Sequence, residues 1–257
     1  AGEIQTNQAD EQKIAQMMVG SETLSHTRET QENGSALLRF KRVSVQGRAR
    51  RDSLKNVDLT VFSGEILGIA GVSGNGQTAL AGVISGMLSI QSGEVLIEEQ
   101  PLLDITPAAM ISRGVGRIPE DRHRDGIVGS MSVAENMVIE RLDDPTLQRN
   151  GLLRRNAIRN YAETLSSEYD VRGPGAQASA RLLSGGNIQK LILAWVFDRS
   201  PKLILANQPT RGLDMGAASE VARRLLEARD RGAGIFLISE DLDEILKLSD
   251  RILVVHD

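Results

Sequence analysis

GEILGIAGVSGNGQTALAGVISGM, residues 64–87, opens on the short run Glu65 to Ala70, turns through a cluster of glycines, and continues with Leu80, Val83, Ile84 and Met87 at the spacing of one helical face. The stretch reads as a buried strand, a loop and a helix. Within the loop, Gly71, Ser73, Gly74, Asn75, Gly76, Gln77 and Thr78 have the spacing at which absent side chains let backbone N–H groups wrap an oligophosphate at a helix N-terminus. Gln77 stands where such loops carry a lysine, and Thr78 keeps the hydroxyl that helps hold Mg²⁺. A tight structural turn is the plainer reading of the same residues.

Working outward, short apolar runs recur at Lys202 to Ala206, Gly234 to Ser239 and Arg251 to Val255, with periodic helical patterns between them. That alternation predicts a mostly parallel sheet. On the N-terminal side, Leu37 to Val61 holds two alternating stretches separated by the basic run Gln46 to Arg51, which predicts an antiparallel hairpin. Between Glu120 and Phe197 the pattern turns helical, including one helix from about Leu153 to Glu168, with loops at Gly126, Gly129, Gly173, Pro174 and Gly175. The expected fold is α/β: a mostly parallel core sheet, an antiparallel β-subdomain and a helical subdomain inserted at about 120–198. One domain over 36–257 is expected, after a polar segment 1–35 that reads as a linker.

Hydrophobic residues at 40% and charged residues at 25% give the balance of a globular chain, and 257 residues suffice for a sizeable core. A formal charge of -4 argues against a broadly nucleic-acid-binding surface. The absence of cysteine removes disulfides, thiolate metal sites and cysteine nucleophiles. The longest apolar run, Leu191 to Phe197, falls far short of the roughly 20 residues that cross a bilayer. Arg149, Arg154, Arg155 and Arg159 read as a solvated helix face.

Two further motifs complete the reading. Leu183-Ser-Gly-Gly-Asn-Ile-Gln-Lys190 precedes a helix with Ile188, Leu191, Ile192 and Trp195 on one face. Ser184, Gly185 and Gly186 there offer a hydroxyl, open N–H groups and a positive helix end suited to a γ-phosphate, although Ser184 would equally serve as a helix cap. The strand Leu203-Ile-Leu-Ala206 runs into Asn207-Gln208-Pro209-Thr210-Arg211-Gly212-Leu213-Asp214. In this order, from about Leu37 to the end, the motifs resemble the phosphate loop, signature sequence and Walker B strand of the ATP-binding cassette (ABC) family. GVSGNGQT, IPEDR, LSGGN and QPTRGLD look most like the second cassette of tandem importers for simple sugars and nucleosides. IAQMMVG, Ile14 to Gly20, is similar to the connector after their first cassette.

The resemblance implies a P-loop NTPase fold, ATP and Mg²⁺ as ligands, and departures at the positions that perform hydrolysis. Gln77 replaces the lysine, Asn207 the aspartate that supports Mg²⁺, and Gln208 the glutamate that activates water. Glu120 falls at the position of the glutamine that senses Mg²⁺ and the transporter, and Glu240 at that of the switch histidine. A substitution introduced at 208 would explain one position; the joint departures favour natural replacement. An amide orients a water but does not accept its proton, so the resemblance predicts nucleotide binding with little hydrolysis.

Because such cassettes pair head to tail, Ser184, Gly185 and Gly186 are expected to complete a competent site on a first cassette, with Asp214 at the interface. Arg117 to Arg122 resembles the lever that contacts membrane subunits; an exposed charged loop is the alternative. Arg48 or Arg50 is the candidate to stack on adenine. The implied partners are a first cassette, transmembrane permease subunits and, indirectly, a solute-binding protein, at the cytoplasmic face of the membrane and without nucleic acid. The competing readings are an active ATPase using Glu240 or Asp241, and a nontransporter cassette acting as a nucleic-acid switch.

Overall fold

A computed structural model describes residues 34–47, 53–71 and 74–255 of the chain. The expectations for Ile14 to Gly20, Arg48, Arg50 and Ser73 lie outside the described residues. Strands β1 (Ala36–Val45) and β2 (Leu54–Phe62) pair antiparallel, as their alternation requires. The alternation in β1 breaks at Lys41 and Arg42, where the ladder shifts register and Arg42 takes a φ of 49°. β3 (Ile66–Gly71) and helix α1 (Gln77–Ile84) flank the glycine-rich turn. The helix is shorter than its apolar spacing implies: it closes at Ser85, Gly86 follows at φ 75°, and Met87 lies beyond it, exposed.

Next come β4 (Ser92–Ile97), β5 (Gln100–Pro101), α2 (Pro107–Ser112) and β6 (Val115–Ile118). β4 joins the hairpin, so the antiparallel sheet has the order β2-β1-β4-β5. The turn between β4 and β5 carries Glu98 and Glu99 at φ 50° and 61°, a left-handed pair usually signalled by Asn or Gly. The helical lobe then holds α3 (Val133–Val138), the small hairpin β7 (Gln148–Arg149) and β8 (Leu152–Leu153), α4 (Arg155–Glu168) and α5 (Gly185–Asp198). The helix expected from Leu153 therefore starts at Arg155, because Asn150 and Gly151 turn the chain at positive φ and put Leu152 and Leu153 in a strand. Arg149, Arg154, Arg155 and Arg159 are all exposed.

β9 (Leu203–Asn207), α6 (Met215–Asp230), β10 (Gly234–Ile238), α7 (Leu242–Leu248) and β11 (Arg251–Val255) complete the chain. The second sheet, β11-β3-β10-β9-β6, is parallel at every pairing. Its inner strands are nearly continuous apolar runs because both faces are covered. Alternate residues serve opposite layers. Ile204, Ala206, Ile235 and Leu237 pack toward the lobe with Ile188, Leu191 and Ile192. Leu203, Leu205, Phe236 and Ile238 pack toward α1 and the antiparallel sheet with Leu80, Val83 and Phe40. Among the described residues no helix is long and apolar enough to cross a membrane.

Phe236, fully buried between the two sheets, is expected to cost about 3–5 kcal/mol when cut to alanine. Leu103→Ala, at a side chain 97% exposed, is expected to stay within about 0.5 kcal/mol of wild type. Urea unfolding of both variants checks the contrast.

Candidate functional site

The phosphate-loop candidate lies at the carboxyl end of β3, where loops from a parallel sheet gather. Gly74 and Gly76 take φ values of 94° and 88°, a region that residues with a Cβ enter at a cost. Gly76 stands at the N-cap of α1 and has no side chain to cap it, so among the described residues no side-chain cap serves the first-turn N–H groups. Gln77 is buried and turns back: its Nε2 donates to the Gly71 carbonyl at 3.0 Å. The amide therefore braces the loop from within. Asn75 is half-buried beside it, and Thr78, the second residue of α1, is exposed.

β9 delivers the second group of residues to the same edge of the sheet. Its last residue, Asn207, pairs with Ile238 of the neighbouring strand. Gln208 then enters the left-handed region at φ 51°, and its N–H donates to the Ile238 carbonyl at 2.8 Å. Its side-chain Oε1 accepts the backbone N–H of Glu240 at 3.2 Å. Gln208 and Glu240 are thus brought together, with the amide bonded to backbone and the Glu240 side chain exposed. A carboxamide held this way has no basicity near neutral pH.

A third group forms around the lobe. Ser184 stands at the N-cap of α5, but its hydroxyl makes no capping bond; it accepts from Asn187 Nδ2 at 2.9 Å. Asn187 is itself held by the Arg172 N–H at 2.7 Å. The capping reading of Ser184 therefore holds for its backbone only, and the hydroxyl proton stays available for an outside acceptor. Gly185 lies against the Arg122 guanidinium, and a Cβ on Gly186 would meet nothing within 4 Å. Glu120 pairs with Arg211 through Oε1 and Nη1 at 2.6 Å. Arg122 donates to the carbonyls of Arg211 and Gly212 at 2.7 and 3.3 Å. Asp214 caps α6 by accepting the Ala217 N–H at 2.9 Å. Gln189, buried in α5, donates to the Pro209 carbonyl at 2.9 Å. The contacts of Arg122 and Arg211 span some ninety residues of chain, and no local spacing announces them.

The donor set suits a triphosphate better than a tightly held cation. Among the described residues, first-turn amides of α1 without a side-chain cap suit phosphate oxygens. For Mg²⁺ the chain offers the Thr78 hydroxyl and the neutral Asn207 amide, and no cluster of three or more His, Cys, Asp or Glu exists among the described residues. Mg²⁺ keeps several waters and takes phosphate oxygens readily, so a cation there would be held mainly by the nucleotide.

Behind the loop, Glu244 in the first turn of α7 is buried, and neither carboxylate oxygen meets a partner at hydrogen-bond geometry. Desolvation raises its pKa, and the nearby Asp241 charge adds to the rise; the Ser239 and Thr210 hydroxyls offset part of it.

The family model described as ABC transporter matches residues 54–211. The chain is 41% identical to the nucleoside import ATP-binding protein NupA of Lactococcus lactis subsp. cremoris, over 96% of this chain and 49% of that protein. It is 43% identical to the glucose import ATP-binding protein TsgD13 of Haloferax volcanii, over 100% of this chain and 47% of that protein. The chain thus spans about half the length of these curated relatives. Among solved structures, the dimeric post-hydrolysis ATP-binding cassette MJ0796 bound to ADP and Pi is similar in fold: TM-score 0.70 at 21% identity, covering 85% of this chain and 94% of that one.

Because the folded pKa of Glu244 lies above its unfolded value, its contribution to stability is most favourable below the unfolded pKa and is lost as pH rises through the folded one. Glu244→Gln is therefore expected to stabilise the chain near neutral pH, with the gain shrinking toward acid. Thermal unfolding across pH measures it; a gain that grows on acidification contradicts the assignment.

Proposed function

The chain belongs to the ABC transporter family, and from that premise we propose that it is an ATP-binding component of an importer for a sugar or nucleoside, binding nucleotide at a site impaired in hydrolysis. In this reading residues 36–257 form the cassette and residues 1–35 the linker from a preceding one. Gly71 to Thr78 hold ATP phosphates through backbone amides, with Thr78 and Asn207 as weak support for Mg²⁺. Ser184, Gly185 and Gly186 complete the site of a first cassette, and Asp214 lies at the interface. Closure of the pair is passed through Glu120 to permease subunits at the cytoplasmic face of the membrane.

The observation that carries this reading is the arrangement of Gln208. Its carboxamide accepts the Glu240 N–H, and neither it nor Asn207 bears a charge where water activation and cation support are needed. Gln77, bonded to the Gly71 carbonyl, adds no cation either. Losing a charge-assisted phosphate contact weakens binding by about 1.5–3 kcal/mol, which backbone amides can offset in part. The signature half keeps what phosphate recognition requires: open space over Gly186 and a Ser184 hydroxyl held by Asn187. The relatives' printed names, nucleoside import and glucose import, support the solute class without choosing within it.

The chain alone is expected to bind ATP in an equilibrium titration and to hydrolyse it at background rate. Addition of the first cassette should raise turnover, and Ser184→Arg should remove that gain. Brisk Mg²⁺-dependent hydrolysis by the unpaired chain would overturn the reading. If Glu240→Gln then abolished that activity, the exposed carboxylate beside Gln208 would be the substitute base.

A further inference from the structure

Three segments that a composite nucleotide site needs in fixed relation meet at one side chain. Arg122 ends the segment 117–122. Its Nη1 and Nη2 donate to the carbonyls of Arg211 and Gly212, in the loop between Gln208 and Asp214. The other side of the guanidinium lies against the start of α5: a Cβ on Gly185 would sit 3.2 Å from Nη2 and 3.3 Å from Nε. Nε is buried without a partner. Glu120, two residues earlier, grips the Arg211 side chain at 2.6 Å, so the segment holds Arg211 by main chain and side chain together.

This placement is not what isolated electrostatics favours. A guanidinium at the positive end of a helix meets like charge, and an unpaired buried donor adds a desolvation cost. Two carbonyl bonds hold it there. A planar fork meets two successive carbonyls at once, which a lysine ammonium on a flexible stem does not reproduce. Gly185 fits as well, since any side chain there would press on the fork.

We propose that Arg122 is a positioning residue for the signature surface, whose guanidinium sets the spacing between Gly185 and the loop carrying Asp214, so that Ser184 to Gly186 present a single geometry to a partner's nucleotide. The inference rests on the proposed role of Ser184–Gly186 in a first-cassette site. Arg122 touches no nucleotide in this scheme. It acts through the backbone of Arg211 and Gly212 and through contact with Gly185, so its loss misplaces the surface and leaves the binding of ATP to the first cassette's own phosphate loop largely intact.

The test is steady-state ATP hydrolysis by the complete transporter complex carrying wild type, Arg122→Lys, Arg122→Gln, Gly185→Ala or Ser184→Arg, with thermal unfolding as a folding control. Both Arg122 variants are expected to lower kcat by about 10- to 100-fold, the range for small misplacements of a reacting group. KM for ATP should stay within about twofold, since uniform binding is untouched. Gly185→Ala, which pushes on the guanidinium while leaving Arg122 in place, should lower kcat in the same direction; if one Arg122 variant folds poorly, the other decides the matter. Wild-type kcat in Arg122→Lys would overturn the inference, because charge alone would then suffice. A loss confined to KM would overturn it too. If Ser184→Arg abolishes turnover while the Arg122 variants stay normal, this inference alone fails. If Ser184→Arg has no effect, the underlying reading of Ser184–Gly186 fails with it.

Discussion

The parallel register of three adjacent strands governs where everything else in the molecule can lie. Ile238 pairs with Ile69 on one side and with Asn207 on the other, so β10 and β9 end together while β3 runs on to Gly71 beside β11. Burial on both faces fixes that register, since a slip of one residue would turn each strand's inward-facing set toward the wrong layer. The chain leaves these strands at one edge, and the glycine-rich turn, Gln208 and Glu240 follow directly from β3, β9 and β10. The position of the site is thus a consequence of hydrophobic layering, with its chemistry set by a few residues past each strand end.

At that edge, neutral side-chain amides brace the backbone beside the glycine-rich turn. Gln77 bonds to the Gly71 carbonyl six residues back, and Gln208 accepts the N–H of Glu240 from the neighbouring strand's end. Such contacts tie side-chain amides to backbone and add no charge at this edge. Under the proposed function, holding a triphosphate would fall to backbone amides, while activating water would need a basic group from elsewhere.

The lobe depends on the core in a different way. α5 packs Ile188, Leu191 and Ile192 beneath the sheet, and Gln189 is tied to Pro209. Its half-buried N-terminal turn is thus carried on a buried body linked to the loop after β9. Arg122, Arg211 and Glu120 add a polar layer to that link. Surface ion pairs of this kind contribute little stability. Their significance lies in fixing relative position.

Local spacing was enough to reveal the strand-turn-helix units, the hairpin, the parallel core and the three glycine-bearing motifs, because each rests on neighbours within about ten residues whose periodicity encodes burial. The presence of amides at 77, 207 and 208 was equally plain, being a matter of residue identity. Tertiary structure alone decided the rest. β4 was hidden because Glu98 and Glu99 adopt left-handed turn geometry without the usual Asn or Gly signal, and the apolar spacing at Met87 outran a helix that Gly86 ends. The return of Gln77 to Gly71, the bond from Gln208 to Glu240 and the grip of Arg122 on Arg211 and Gly212 arise only after folding. They join groups whose proximity is set by the packing of sheets and lobe, and pattern along the chain carries no information about which distant carbonyl a buried donor will meet.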